Sequence, residues 1–302
     1  MSSLSSPEFQ EVEVGMQNSR DNEFTALYLY GLIPSVGLNG EPLSISALGL
    51  DSAPIIIVAH GDVAVLAHVC APQPYDGDVA QVHAWVLAQH NVIKSVHAET
   101  GTILPIRFNS IVAATEDLTA AQVLTAWLTL GHDEIASRLD GLRDRVELGV
   151  QVFAGPSVDV PSADVDGVPK ARGRAYFQAQ LSQRQDRERA RVTQALMAST
   201  IFDELALRSE AIVVKPKRDA RAGSKDAVYA RENLLLDVAV LAHPDKVHTI
   251  GEYLAEVEAS PGISVRFTGP WAPYAFVGAL DMPMLIEISP DHEIEEKGGT
   301  GA

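Results

Sequence analysis

Cysteine is almost missing: Cys70 is the only one among 302 residues. No intramolecular disulfide can staple this fold, so its stability must come from packed cores. Cys70 lies in the apolar run VAVLAHVC, a setting for a small buried hydrophobe rather than a nucleophile. Positive charge is also scarce, with 23 Lys and Arg against 40 Asp and Glu, a net charge of −17. Such a balance repels phosphate backbones, and general affinity for nucleic acid or anionic lipid is not expected without a local basic patch. No run approaches the roughly 18 apolar residues of a membrane span, and no basic n-region leads into an apolar h-region. A soluble, cytoplasmic protein is expected. Aromatics make up only 6% of the chain, which makes one stretch stand out. FTGPWAPYAF, residues 267–276, holds a Trp, a Tyr, two Phe and two Pro.

What is present suffices for two ordinary domains. Apolar residues are 46% of the chain, and its length allows two cores. Residues 1–23 are rich in Ser and acids, without a sustained period, and read as a mobile leader. Residues 24–143 read as an N-terminal mixed α+β sheet domain. FTALYLYGLI is a strand, and PIIIVAH and GDVAVLAHVC are two strands joined at Gly61-Asp62. Asp78 caps a helix with Val79, Val82, Val86, Ile93 and Val96 as its apolar stripe. TILPIRF is a strand, and a helix runs from Thr119 to Leu130, with Gly131 as its stop.

Residues 144–278 follow a cleaner order. RVELGVQVF is a strand, a long helix spans about Gly173 to Leu207, EAIVVKP and LLLDVAVLA are strands, PDKVHTIGEYLAEVEA is a helix, and ISVRF is a strand ended by Gly269-Pro270. This β-α-β-β-α-β order is that of a ferredoxin-like domain. The middle of the long helix, SQRQDRERAR, is polar all round and suits solvent. Residues 279–302 form an acidic tail, although MPMLIEI within it has the character to lie along the body or add to a sheet edge.

The features that resemble chemistry fail on spacing. His83, His90 and His97 are seven residues apart, about 10 Å along a helix axis, too far for one metal ion. They read as hydrogen-bonded histidines bordering the apolar stripe. His60-Gly61-Asp62 has a base and an orienter but no placed nucleophile, and a hairpin turn explains it. DVDG at 164–167 begins like a calcium loop but lacks the later ligands. AGSKD has no Walker glycine spacing. KPKRDAR, 215–221, reads as a solvated basic loop or a docking patch for an acidic partner. No catalytic, metal-ligating or cofactor-binding residue is assigned.

Five segments carry a resemblance: ALYLYGLI near the start, GTILPIRFNSIV at 101–112, ELGVQVF at 147–153, GRAYFQAQ at 173–180 and FTGPWAPYAFVG at 267–278. The chain resembles the gas vesicle accessory proteins F and L, with the segments in family order. Two positions depart from the family pattern: Asn109 stands where Gly is usual, and Ala272 where a second Pro follows Trp. Asn tolerates left-handed backbone, so the turn at 109 is expected to survive. The resemblance implies a non-enzymatic, minor component of the gas vesicle. Its implied partner is the small apolar shell protein of GvpA type, kept from aggregating during vesicle nucleation, and other gas vesicle accessory proteins are possible partners. The alternative is a ferredoxin-like regulatory module binding a small molecule between its domains.

FTGPWAPYAF then has two readings. Pro270 and Pro273 stiffen an arm from which Trp271, Tyr274 and Phe276 either clamp the two halves together or remain available to a partner. LPIRF poses the same choice. Pro105 suggests a sheet edge, and Arg107, next to Phe108, either pairs with an acid across the domain interface or touches a partner. The candidate interdomain or partner contacts are Pro105, Arg107, Phe108, Trp271, Pro273, Tyr274 and Phe276.

Overall fold

The computed structural model describes residues 26–155, 173–216 and 233–280, apart from residues 39, 42 and 44. The leader, the DVDG and AGSKD loops, residues 217–221 of KPKRDAR and the tail from residue 281 lie outside the described residues.

Strand β1 (Ala26–Pro34) is buried along its whole length. It pairs with β3 (Val63–Cys70) on one side and with the short β4 (Leu104–Pro105) and β5 (Ile111–Ala113) on the other, while β2 (Ile56–His60) forms the far edge beyond β3. All of these pairings are antiparallel. An almost uniformly apolar strand is what a sheet covered on both faces requires. Leu27, Leu29 and Leu32 meet Leu124, Leu128, Ile135 and Leu139 of α2 (Ala120–Gly141) on one face. Tyr28, Tyr30 and Ile33 meet Val92, Ile93 and Val96 of α1 (Val79–Thr100) on the other. A register shift between Leu29 and Gly31 changes the alternation midway, which is why Leu32 shares a face with Leu29.

Both helices begin as their sequences require. Asp78 accepts from the Gln81 N–H and Thr119 from the Gln122 N–H, and each glutamine side chain answers its cap residue. Three expectations need correction. α2 passes through Gly131 to Gly141, because Ile135 and Leu139 continue its buried stripe. Burying such side chains yields roughly 1.5–3 kcal/mol each, more than the roughly 1 kcal/mol that a helical glycine costs. In α1 the inward face is Gln89, Val92, Ile93 and Val96, whereas Val79 is 88% exposed and Val86 44%. TILPIRF is also shorter as a strand than expected, contributing only Leu104–Pro105.

The second sheet has the order β7-β8-β6-β9, from β6 (Val146–Ala154), β7 (Ala211–Val214), β8 (Leu234–Ala242) and β9 (Ile263–Trp271), all antiparallel. Leu148, Val150 and Val152 of β6 and Val238 and Val240 of β8 pack on Ile201 and Leu205 of α3 (Gly173–Arg208) and on Ile250 and Leu254 of α4 (Val247–Glu258). The described side chains of α3 from Arg184 to Arg191 are exposed. The two sheets meet where Leu241 and Val277 join the α2 core, with Ala211 and Phe276 packed against it. The protein thus has a mixed α+β architecture with two sheets and flanking helices.

Candidate functional site

The site begins with a bend in β9. The register against β6 shifts between Glu147 and Gly149, opposite Thr268 to Trp271. Gly269 adopts φ +119°, and a Cβ there would fall 2.8 Å from the Glu147 carbonyl oxygen. The strand was expected to stop at Gly269-Pro270, but Trp271 still pairs with Glu147. The bend allows pairing to resume and sends the following residues across to the first sheet.

Those residues divide their side chains between two tasks. Ala272 is buried in the core under α1, Val277 in the core under α2, and Phe276 packs against the latter. Pro273 is buried as well. Glu147, 5% exposed, accepts the Ala275 N–H at 2.7 Å, and its other oxygen is 3.4 Å from Lys215 Nζ. Arg138 of α2 donates to the carbonyls of Val277 and Ala279 at 2.9 and 2.7 Å. Trp271 and Tyr274 are instead 38% and 41% exposed. Both border His90 of α1: the Trp271 ring stands edge-on to it at 5.1 Å, and the Tyr274 ring stacks on it at 6.3 Å. Burial pushes the Tyr274 hydroxyl up to about 12, with Glu147 adding to the shift. His90 is held below its ordinary pKa, first by burial and then by Lys94.

Beside them lies an open groove of about 920 Å³. One wall is His83, Val86, Leu87 and His90 of α1, a second is Pro105 to Phe108, and the third is Trp271, Tyr274 and residues 277–280. Val86 and Leu87, left over when α1 turned its other face inward, give this wall its apolar surface. Gln89 lies behind the groove, accepting from Tyr28 Oη at 2.6 Å and donating to the Ile106 carbonyl at 2.8 Å. It therefore ties α1, β1 and the 105–108 segment together. Asn109 has φ +64°, and its side chain accepts the Tyr75 N–H and donates to the Tyr75 carbonyl. The left-handed turn expected there is present.

The sequence candidates converge in part. Pro105, Arg107, Phe108, Trp271 and Tyr274 line the groove, while Pro273 and Phe276 lie inward of it. Pro105 pairs with Gly31 at the sheet edge. Arg107 is exposed and pairs with no acid among the described residues. His83 and His90 share the groove wall, but His97 does not, and no group of three metal-type ligands occurs among the described residues. Asp62 pairs with His132 at 2.6 Å rather than orienting His60. Glu147, Arg138 and Gln89 escaped the sequence reading. The signal for Glu147 was the one charged side chain within β6.

Other strongly shifted groups lie away from the groove. His68, fully buried, joins Tyr30 Oη at 2.8 Å and Tyr75 Oη at 2.9 Å. Tyr30 Oη also accepts the Leu50 N–H at 2.9 Å. Burial lowers the His68 pKa to about 4 and raises Tyr75 to about 12. Cys70 is half-buried, with its thiol pushed up to about 11 by burial. This cluster is core behind β1, not groove lining.

Residues 26–278 match the family model described as gas vesicle synthesis protein GvpL/GvpF. Gas vesicle protein L2 of Halobacterium salinarum is 24% identical over 264 residues, covering 82% of this chain and 90% of that protein. Gas vesicle protein L of a Streptomyces species is 28% identical over 267 residues, covering 83% and 91%. The fold is similar to the crystal structure of gas vesicle protein GvpF from an Anabaena species, with TM-score 0.60 at 17% identity over 85% of this chain and 99% of that one. The GvpF structure from Microcystis aeruginosa gives TM-score 0.57 at 15% identity, covering 84% and 99%.

Proposed function

Because this chain belongs to the GvpL/GvpF family of gas vesicle synthesis proteins, we propose that it is a non-enzymatic assembly factor whose groove receives an apolar segment of the vesicle shell protein. The observation that carries this reading is the set of exposed Val86, Leu87, Trp271 and Tyr274 around one groove, on an arm anchored by Glu147 and Arg138. A shell subunit must present an apolar face to gas. In water each Å² of that face costs roughly 25 cal/mol, so free subunits associate indiscriminately until something covers them. A preformed groove with aromatic walls offers such cover without any bond being made or broken.

On this reading the protein acts in the cytoplasm and at the growing vesicle, with the shell protein and other accessory proteins as partners. Among the described residues no helix is long and apolar enough to cross a membrane. We further read β6 to β9 with α3 and α4 as a ferredoxin-like domain, supported by the order β9-β6-β8-β7. The test is co-expression with the shell protein, comparing the native chain with a Val86→Asp, Leu87→Asp double variant. The native chain should keep more shell protein soluble and co-purify with it, and the double variant should do neither. Equal shell aggregation with and without the native chain would overturn the reading.

A further inference from the structure

The chain carries 40 Asp and Glu, yet among the described residues none of them lines the groove, and the one Lys or Arg on its walls is Arg107. The backbone around Arg107 is pinned on both sides. The Ile106 N–H donates to the Tyr30 carbonyl at 2.9 Å and the Ile106 carbonyl accepts from Gln89, while Asn109 holds its left-handed turn against Tyr75. The guanidinium is therefore presented from a segment that needs no further ordering. It is exposed and pairs with no acid among the described residues. An apolar occupant that covers this wall strips water from a cation and leaves the charge unanswered, a cost set against every apolar contact beside it. An occupant that brings a carboxylate gains a charge-assisted, two-pronged hydrogen bond instead.

We propose that the shell segment received by this groove carries one carboxylate within its apolar run, and that Arg107 pairs with it while Val86, Leu87 and Trp271 cover the apolar side chains. The pairing rests on the function proposed above and makes Arg107 the residue that selects among apolar partners. Segments without the carboxylate are held more weakly, so the groove tells its partner from other exposed apolar surface by what it leaves unpaired. Once seated, the pair lies between apolar walls and is little screened by salt.

The experiment immobilises the full chain and measures association and dissociation rates of the shell protein, native and with each of its Asp and Glu changed in turn to Asn or Gln. Arg107→Gln should release the native shell protein about tenfold faster. Its association rate should hardly change, since the substitution alters a net charge of −17 by one unit. Its thermal unfolding midpoint should stay in place, because the side chain is exposed. One shell carboxylate variant should leave the native chain about tenfold faster, and Arg107→Gln no faster than the native shell protein does, which is the signature of a coupled pair. Arg107→Glu combined with Lys at that shell position should restore much of the retention. Equal retention by the native chain and Arg107→Gln would overturn the pairing and leave the docking function standing. A loss with Arg107→Gln that no shell carboxylate reproduces would overturn it as well, since the acceptor would then be backbone. Failure of the shell protein to bind even the native chain overturns both.

Discussion

At the scale of single residues, two buried polar groups govern how the arm and the first core are held. Glu147 supplies the acceptor for the Ala275 N–H and the counter-charge for Lys215. Glu147→Ala leaves that N–H without its partner, and the cost should be about 2–3 kcal/mol in urea unfolding. Glu147→Gln keeps an acceptor and should cost clearly less. Equal stability of the alanine variant and the native chain would mean that the arm is held by its apolar residues alone. His68 sets a pH dependence. Burial holds its pKa near 4, below the ordinary value of about 6.5, so the unfolded chain takes up the proton first as pH falls. Its cost is absent above pH 6.5 and grows below it, reaching about 2 kcal/mol at pH 5. His68→Gln, which cannot titrate there, should flatten the unfolding free energy between pH 7 and 5. His90 and His97, also held low by burial, should leave a smaller residual slope.

At the scale of elements, α1 is the informative case, because its two faces answer to different demands. Val79→Lys should change stability by less than about 0.5 kcal/mol, since the side chain is 88% exposed. Ile93→Ala, fully buried, should cost about 2–4 kcal/mol, and chemical denaturation of the pair checks the assignment. The start of α1 was legible because Asp78 and Gln81 signal a cap through local chemistry alone. Which of its valines face inward was not, because Val79, Val82 and Val86 fit one helical face equally well until β1 and the arm fix the rotation. Gly131 misled for a related reason: its local cost is outweighed by Ile135 and Leu139, whose burial depends on a sheet remote in sequence. The succession of strands and helices around the second sheet was legible, since each of those elements carries its own local pattern. The groove was legible only as fragments. LPIRF and the Trp271 segment stood out by composition, but Val86, Leu87 and His90 join them only because Gln89 and Glu147 draw three separate segments together.

At the scale of the whole molecule, charge and groove make opposite demands on any partner, and this separates two modes of association. A net charge of −17 gives a diffuse field that steers basic partners and weakens as salt shortens the Debye length from about 30 Å at 0.01 M to about 3 Å at 1 M. The groove has little charge of its own: Arg107 is the one Lys or Arg lining it among the described residues, beside the apolar side chains of Val86, Leu87, Phe108 and Trp271. On the proposed function, docking of the shell protein in the groove should be driven by apolar burial, so that complex should persist from low salt to about 0.5 M and form with a negative heat-capacity change. Steering by the acidic surface should show only as faster association at low salt, with dissociation unchanged. Measuring association and dissociation rates of the shell protein across that range, with native chain and the Val86→Asp, Leu87→Asp variant, separates the modes. A dissociation rate that climbs steeply with salt, and that the aspartates leave alone, would move the contact from the groove to the charged surface.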